Sequence, residues 1–393
     1  MRDDLVIYNG RAVLPGQVLE DALVRIRNGC IVEVRRGGPD GARQAGQCID
    51  AGGAYILPGL VDLHSDAIER EIEPRPRAVF PVEVAFRELE KRLAGSGITT
   101  IFHSLSFATE QMGLRSNETA AQVIRQLRKL AAGPSLVRHR IHLRYEITDL
   151  SAVPVITALL EEGAVDLLSF MDHTPGQGQF RQLERYKEWV QATYGLNEEE
   201  FPALLAKKQV DRTTVLEGVR LLAGKALALG IPVASHDDDS AGRVETAHSL
   251  GVTISEFPVN REAAGRAREL GMAVCVGAPN VVRGCSQAGN LSAVEAIETG
   301  AAGILCSDYY PPAMLCAVFR LADRIGLAAA AQLVSLRPAG AVGLAGSAGS
   351  LEPGGRADLV LVRGEGVAPV VQGAVVDGRV VYTLSYRNCN GFS

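Results

Sequence analysis

The sequence predicts an α/β fold, a (β/α)8 TIM barrel with a small β-sandwich domain built from both chain ends. Three observations support it. The middle of the 393-residue chain alternates apolar and amphipathic segments, both ends carry short β-type segments, and polar residues collect where the apolar segments end. This length suits one large barrel with a smaller domain. The predicted domains are a composite β-sandwich over 1–57 plus 346–393 and a barrel over 58–345.

The two ends of the chain resemble each other and differ from the middle. The N-terminal end contains "DLVIYNGRAVLPG" and "DALVRIRNGCIVEVRR", and the C-terminal end contains "GRADLVLVRGEGV" and "VVQGAVVDGRVVYTL". Alternating apolar residues with Gly, Asn and Pro between them are typical of β-hairpins. We therefore expect the two ends to pair into one β-domain.

The middle of the chain supplies the predicted barrel strands. These are "GLVDLHSD", "GITTIFHSLSF", "IHLRYEI", "VDLLSFMDH", "IPVASHDDD", "VTISEFP", "MAVCVGAPN" and "GILCSDYYP". Helical patterns lie between them, such as "VEVAFRELEKRLAGSG" and "NREAAGRARELG", and several end in Gly, as helix C-termini prefer. An open doubly wound sheet is the alternative, but no GxGxxG follows the first strand.

Composition excludes several classes of protein. Hydrophobic residues make up 47% of the chain, yet no apolar run reaches the roughly 18–20 residues of a membrane span. The start "MRDDLVIYNG" has no apolar segment typical of a secretory signal. A net charge of −5 without Lys/Arg runs disfavours nucleic-acid and membrane partners. Seven cysteines without a CxxC pair predict free thiols in a cytoplasmic protein.

Metal-binding residue types concentrate at the predicted strand ends, where barrels form their active sites. They are, in strand order, His64 and Asp66, His103, His142 and Glu146, Asp172 and His173, His236 and Asp237, Glu256, and Asp308. Residues two apart on a strand point the same way, so His64 and Asp66 can grip one divalent ion. Such an ion activates water, and Asp308 can take the proton as the catalytic base.

Each of these residues also has a purely structural interpretation. His103 is equally consistent with a core histidine, and His142 could lie deeper in the barrel. Glu256 could pair with an arginine, and most aspartates of "HDDDS" could be solvated or cap a helix. The predicted metal ligands are His64, Asp66, Glu146, His173 and His236, with His173 as an extra ligand.

Two loops at the predicted barrel mouth carry residues suited to phosphate. "EREIEPRPR" contains Arg75, and "PNVVRGCSQAGN" contains Arg283 and Ser286. Arginine forks bind phosphate bidentately, and Gly-rich turns present N–H groups to anions. Gln177, in "HTPGQGQF", is a further candidate substrate-binding residue. In the alternative interpretation the first loop's arginines pair with its own glutamates.

The sequence resembles the amidohydrolase superfamily in three places, namely "ILPGLVDLH", "SDYYP" and "GSLEPGGRADLVLV". The pieces "LHSDAIEREIEPRP", "MDHTPGQGQF" and "GAPNVVRGCSQAGN" are similar to its phosphonate-metabolism branch. This resemblance implies a metal-dependent diphosphatase that hydrolyses a ribose triphosphate ester to a 5-phosphate and diphosphate.

The sequence departs from the general superfamily pattern. Strand one has HxD instead of HxH, strand four lacks the carboxylated lysine, and strand six offers only Glu256. The resemblance to sugar-phosphate deacetylases implies Glu146 as the substitute bridge. Such an oxygen-rich site favours manganese or magnesium, with zinc and iron left open, as one or two ions.

Two other functions remain open at this stage. The first is an amidohydrolase that cleaves a C–N bond, such as a deacetylase, an N-acyl amino acid hydrolase or a cyclic amide hydrolase. The second is a barrel that has lost catalysis and serves in binding or assembly. The expected partner is a small phosphorylated sugar, and the sequence leaves a homo-oligomer open.

Overall fold

The computed structural model describes residues 4–38, 46–108, 116–174, 211–286, 289–364 and 368–385. Both chain ends form one mixed sheet, as their resemblance predicts. Its strands are β1 (Leu5–Leu14), β2 (Gln17–Arg27), β3 (Cys30–Arg36), β4 (Gln47–Asp50), β5 (Tyr55–Pro58), β14 (Leu359–Arg363), β15 (Val370–Val376) and β16 (Arg379–Thr383). The order is β16-β15-β14-β5-β1-β2-β3, and β4 pairs with β1.

The two ends of the chain meet between β5 and β14. These strands are antiparallel, and Leu359 lies opposite Pro58. Buried side chains of β1, β2, β3, β5, β14 and β15 form one apolar cluster that includes Ile7, Ile31 and Leu361. The predicted β-domain of both ends is therefore confirmed, and its strands are hydrogen-bonded into a single sheet.

The middle of the chain forms a parallel barrel whose eight strands coincide with the eight predicted segments. They are β6 (Leu60–Ser65), β7 (Ile98–Phe107), β8 (Arg138–Glu146), β9 (Leu167–Met171), β10 (Val233–His236), β11 (Ile254–Glu256), β12 (Ala273–Gly277) and β13 (Ile304–Cys306). Neighbours in sequence are neighbours in the sheet. This confirms the TIM barrel and excludes the doubly wound alternative, whose strand order reverses.

The barrel closes through few backbone contacts between its first and last strands. At the carboxyl end, Ser65 and Asp308 form an isolated parallel bridge. At the other end, the N–H of Val61 donates to Val334 O and that of Leu305 donates to Leu333 O, both at 2.8 Å. The segment after the last strand thus completes the joint.

Helices alternate with the barrel strands. Those of the described residues are α1 (Ala67–Ile72), α2 (Val82–Gly95), α3 (Asn117–Ala131), α4 (Ala152–Glu161), α5 (Arg212–Ala228), α6 (Ala241–Ser249), α7 (Arg261–Glu269), α8 (Ala278–Arg283), α9 (Ala293–Glu298), α10 (Ala313–Ile325), α11 (Leu327–Gln332) and α12 (Leu336–Ala341). Gly97, at φ 84°, ends the α2 turn so that β7 can start at Ile98. None of these helices has the length and hydropathy needed to cross a bilayer.

Alternation along the barrel strands separates an outer layer from the interior. In β8, Ile141, Leu143 and Tyr145 join the apolar layer shared with the helices. The alternate residues His142, Arg144 and Glu146 face the interior, as the two-residue period of a strand requires. The strand thus directs alternate side chains into the core and into the barrel mouth.

His103 belongs to the outer layer, which settles its two interpretations in favour of the core. Its Nε2 lies 2.8 Å from His139 Nδ1, and His139 Nε2 lies 3.2 Å from Glu90 Oε1. All three side chains are buried, and the His139 ring also packs on Phe86. The three residues form a polar chain between β7, β8 and α2, away from the barrel mouth.

This chain predicts acid sensitivity. Burial holds the pKa of His103 well below its usual 6.5, and burial also lowers the pKa of His139. In the folded protein both therefore take up a proton at lower pH than in the unfolded chain, which takes up protons below pH 6.5. Stability therefore falls as pH drops below that value, by about 1.4 kcal/mol per pH unit for each histidine that stays neutral. We expect His103→Leu to reduce the dependence of the unfolding free energy on pH by about 1.4 kcal/mol per pH unit. The measurement is urea unfolding between pH 5 and pH 7. The exposed His248 provides the control, since His248→Gln should leave the slope unchanged. An unaltered slope in His103→Leu would contradict the assignment.

Candidate metal centre

The strand ends that carry the polar residues have an unusual backbone. Asp237, Phe257 and Asp308 follow β10, β11 and β13, and all three have φ between 53° and 57°. Their N–H groups donate to Glu256 O, Cys275 O and His64 O on a neighbouring strand. Left-handed backbone costs about 1–3 kcal/mol at residues other than glycine, and it clusters at functional sites. Here it turns each side chain toward the mouth of the barrel.

The first group of metal-type side chains is His64, Asp66 and Asp308, which joins the first and last strands. His64 Nε2 lies 3.7 Å from Asp66 Oδ1. The Asp66 N–H donates to Asp308 O at 2.7 Å, so the backbone holds the two aspartates together. Burial, together with the negative charge of Asp66, raises the pKa of Asp308 to about 6. The positive charges of His64, Arg144 and Arg70 oppose this rise only in part, and a cation bound here would oppose it further.

The second group is Glu146, His173, His236 and Asp237. His173 Nδ1 lies 2.9 Å from Glu146 Oε2, and its Nε2 lies 3.8 Å from Asp237 Oδ2. His236 Nδ1 lies 3.1 Å from the same Asp237 oxygen. Burial alone would raise the pKa of Asp237, but His236 and His173 lower it overall. His173, His236 and Asp237 present ligand atoms within 4.8 Å of one another.

His142 and Glu256 lie deeper in the barrel, beside His64. His142 Nδ1 is 3.0 Å from Leu63 O, so this nitrogen carries the proton and donates it. Burial lowers the pKa of His142 to about 3, and the ring stays neutral. Its Nε2 therefore presents a lone pair to Glu256 Oε2 at 3.6 Å, and both atoms are buried without a hydrogen-bond partner.

Glu256 also contacts His64. Its Oε1 lies 3.3 Å from His64 Nδ1. Burial would lower the pKa of His64, but the charge of Glu256 outweighs it and the pKa rises to about 10. A carboxylate behind a histidine fixes the tautomer and the orientation of a metal-binding ring. Glu256 can therefore hold the Nε2 of His64 toward Asp66 and Asp308.

Arg144 lies between the first and second groups. Its Nη1 donates to Asp66 Oδ1 at 3.0 Å, and its Nη2 donates to His236 Nε2 at 3.2 Å. The side chain is buried, and its Nε has no hydrogen-bond partner. Sequence reasoning missed this residue, although Arg144 follows the same two-residue strand period as His142 and Glu146.

Sequence reasoning also missed Phe257, which positions two of the histidines. Its ring lies edge-on to His64 with centroids 5.0 Å apart, and it lies 5.1 Å from His236. Its left-handed backbone places the ring between them. No sequence motif indicates such a position, and its N–H is held by Cys275 O on the neighbouring strand β12.

The structure brings all five predicted metal ligands and Asp308 to one mouth. It leaves the predicted phosphate-binding residues outside the buried cluster. Arg75 and Arg283 are exposed, and Ser286 is half-buried. Gln177 lies outside the described residues.

Among the described residues, neither Arg75 nor Arg283 forms an ion pair. The alternative of local pairing fails for the first loop, because Glu71 pairs with Arg92 and Glu73 accepts the Arg77 N–H. Arg70, in α1, is the arginine of this segment whose charge acts on the site, since it partly offsets the rise in the pKa of Asp308.

These donors fit a divalent ion. Three sets of residues each present ligand atoms that lie within 4.8 Å of one another. The sets are His64 with His142 and Glu256, His173 with His236 and Asp237, and His64 with Asp66 and Asp308. Imidazole and carboxylate mixtures bind zinc, iron and manganese. The buried oxygens of Glu256 and Asp237 that lack a hydrogen-bond partner also need a cation nearby.

Comparisons with known structures agree with the fold. An N-acetyl-D-glucosamine-6-phosphate deacetylase of Mycobacterium smegmatis superimposes with a TM-score of 0.64 and 17% identity, covering 96% of this chain and 99% of that one. A dihydropyrimidinase of Brevibacillus agri gives 0.59 and 14%, covering 96% and 94%. At these identities the likeness shows the shared fold.

Sequence comparisons reach further. The chain is 36% identical to the alpha-D-ribose 1-methylphosphonate 5-triphosphate diphosphatase of Escherichia coli (strain K12) over 372 residues, which cover 91% of this chain and 94% of that protein. The model of the amidohydrolase family matches residues 55–381. Together with a parallel barrel that carries metal-type residues at its mouth, this match shows that the chain belongs to the amidohydrolase family.

Proposed function

We propose that this chain is a metal-dependent hydrolase that releases diphosphate from alpha-D-ribose 1-methylphosphonate 5-triphosphate or a closely similar triphosphate ester. The observation that carries the proposal is the 36% identity, over 91% of the chain, to the Escherichia coli diphosphatase of that name. The mouth of the barrel supports hydrolysis, because it gathers buried carboxylates and imidazoles around one space.

We assign the metal ligands to the two groups at the mouth. His64 and Asp66 come from the first group, and Glu146, His173 and His236 come from the second, for one or two ions. Bound there, a divalent ion supplies Lewis-acid polarisation of a phosphoryl oxygen and lowers the pKa of a coordinated water. The carboxylate content of the mouth favours manganese or magnesium over a softer ion, while zinc and iron remain candidates.

Asp308 is the proposed catalytic base. Its carboxyl group is buried beside Asp66 and His64, and its raised pKa brings it nearer to neutrality than an ordinary aspartate. A base works best when its pKa lies near the operating pH. We infer that Asp308 takes a proton from the attacking water and passes it toward the leaving group.

The phosphates need positive charge at the rim. We propose that Arg75, Arg283, Ser286 and Gln177 bind the triphosphate. Support comes from Arg75 and Arg283, which are exposed and have no ion pair within the described parts of the chain. Guanidinium groups bind phosphate oxygens through paired N–H donors. The left-handed Gly284 next to Arg283 starts a turn that can present N–H groups to an anion.

The test is an assay of diphosphate release from the ribose triphosphate ester. The protein is freed of metal and then loaded with manganese, magnesium, zinc or iron. We expect release with at least one of these metals. No release with any of them contradicts the proposal.

A parallel screen covers the alternative function. It offers N-acyl sugars, N-acyl amino acids and cyclic amides, because the fold is shared with a sugar-phosphate deacetylase and a dihydropyrimidinase. Turnover of these substrates alone would identify a C–N hydrolase.

We place the enzyme in the cytoplasm, which the six free cysteines of the described residues support.

A further inference from the structure

Arg144 is a buried cation in the middle of the candidate metal centre. Its guanidinium joins Asp66 of the first group to His236 of the second, at 3.0 and 3.2 Å. We propose that Arg144 takes the position of a second divalent ion. Only the first group then binds an ion, and Glu146, His173 and His236, assigned above as ligands, bind one only when Arg144 is removed. The guanidinium then supplies a permanent positive charge to the centre.

The contacts of His236 are the first support for this proposal. Its Nε2 accepts a hydrogen bond from Arg144, which uses the lone pair that a metal ion would need. Its Nδ1 faces Asp237 Oδ2 at 3.1 Å. Neither ring nitrogen of His236 is therefore open to an ion shared with Asp66 while Arg144 is in place.

The balance of charge at the mouth is the second support for this proposal. The buried or half-buried carboxylates of the mouth and of the space below it include Asp66, Glu146, Asp237, Glu256 and Asp308. Such an excess of negative charge must be compensated when it is removed from water. Arginine is suited to this because its guanidinium stays charged and its fork bonds two partners at once. An additional divalent ion against it would meet strong repulsion.

The first group remains suited to one ion. It combines the imidazole of His64 with the carboxylates of Asp66 and Asp308, and the three ligand atoms lie within 4.8 Å. Arg144 donates to Asp66 of this group. In the proposed reaction, the guanidinium would also lie beside the phosphoryl group and stabilise its charge, and this last part alone rests on the proposed function.

The experiment counts metal ions. The metal-free full chain is titrated with Mn²⁺ by calorimetry, and the bound metal is measured by mass spectrometry. We expect one ion per chain in the unaltered protein, one in Arg144→Lys, which keeps the charge, and two in Arg144→Gln, which removes it. If Arg144 only supported the structure, Arg144→Gln would lose metal instead of gaining it.

The matched control is Arg140, on the same strand and paired with Asp166 at 2.7 Å. Arg140→Gln should bind one ion, as the unaltered protein does. Circular dichroism checks that each variant is folded. If Arg144→Gln does not fold, paramagnetic resonance of the unaltered protein loaded with Mn²⁺ still decides, since a single ion gives an uncoupled signal and a pair gives an exchange-coupled one.

Two ions in the unaltered protein, or one or none in folded Arg144→Gln, would overturn the inference. None of these measurements uses a substrate. A failed diphosphate assay would therefore remove the proposed function and leave the result on Arg144 intact, and the converse also holds.

Discussion

Replacing Asp308 by Asn is expected to lower kcat for diphosphate release by about 10²–10⁴-fold, the range that one acid–base group supplies. The amide cannot accept the proton that the carboxylate takes. Asparagine also tolerates left-handed backbone, so the φ of 56° at this position should be kept. The measurement is steady-state kinetics of the metal-loaded protein, with metal content determined on the same sample.

The exposed Asp323 provides the comparison for this variant. Asp323→Asn changes the same functional group on the surface of α10 and should leave kcat unaltered. Should Asp308→Asn retain full turnover at unchanged metal content, Asp308 would not be the base.

Replacing Asp66 should alter the metal centre itself. Asp66→Ala removes a proposed ligand and also the carboxylate that Arg144 contacts at 3.0 Å. We expect activity to fall more than about 100-fold, because the loss of partners one step further from a metal already costs 10–100-fold. Asp66→His restores a ligand, with nitrogen in place of oxygen, and should shift preference from manganese or magnesium toward zinc. Metal content and activity with each ion are the measurements.

The two substitutions control each other. A folded Asp66→His that binds zinc better than manganese, beside a folded Asp66→Ala that binds neither well, supports the assignment. If both variants keep the metal content and the activity of the unaltered protein, Asp66 is not a ligand.

The fold could be predicted well from the sequence because its signals are local. Each barrel strand is a short apolar segment, and glycines such as Gly97 end the helices next to it. Alternation of side chains then places polar residues at one end of the strands. The pairing of the chain ends followed from their similar patterns, but the contact of Pro58 with Leu359 did not, because pairing register depends on packing that the sequence does not display.

The candidate site could be predicted only in part. The two-residue period of a strand and the place of a residue at the strand end indicate where its side chain points, so the sequence predicts His64, Glu146 and His236 at the mouth. These patterns do not indicate how deep in the barrel a side chain lies, so the sequence does not predict that His142 and Glu256 lie below the mouth. Arg144 was missed because a lone arginine on a strand usually forms an ordinary ion pair, as Arg140 does. Its role depends on Asp66 and His236, which come from distant strands.

The narrow joint between the first and last strands gives the metal centre a mechanical role. Ser65 and Ser307, which are bonded at this joint, lie 242 positions apart in the chain. An ion bound by His64 and Asp66, at the end of the first strand, would also attract the carboxylate of Asp308, which follows the last strand. Like a covalent cross-link, such an ion would restrict a very long loop of the unfolded chain. Chelation should therefore open the barrel at this joint first, while the ladders between the other strands stay closed.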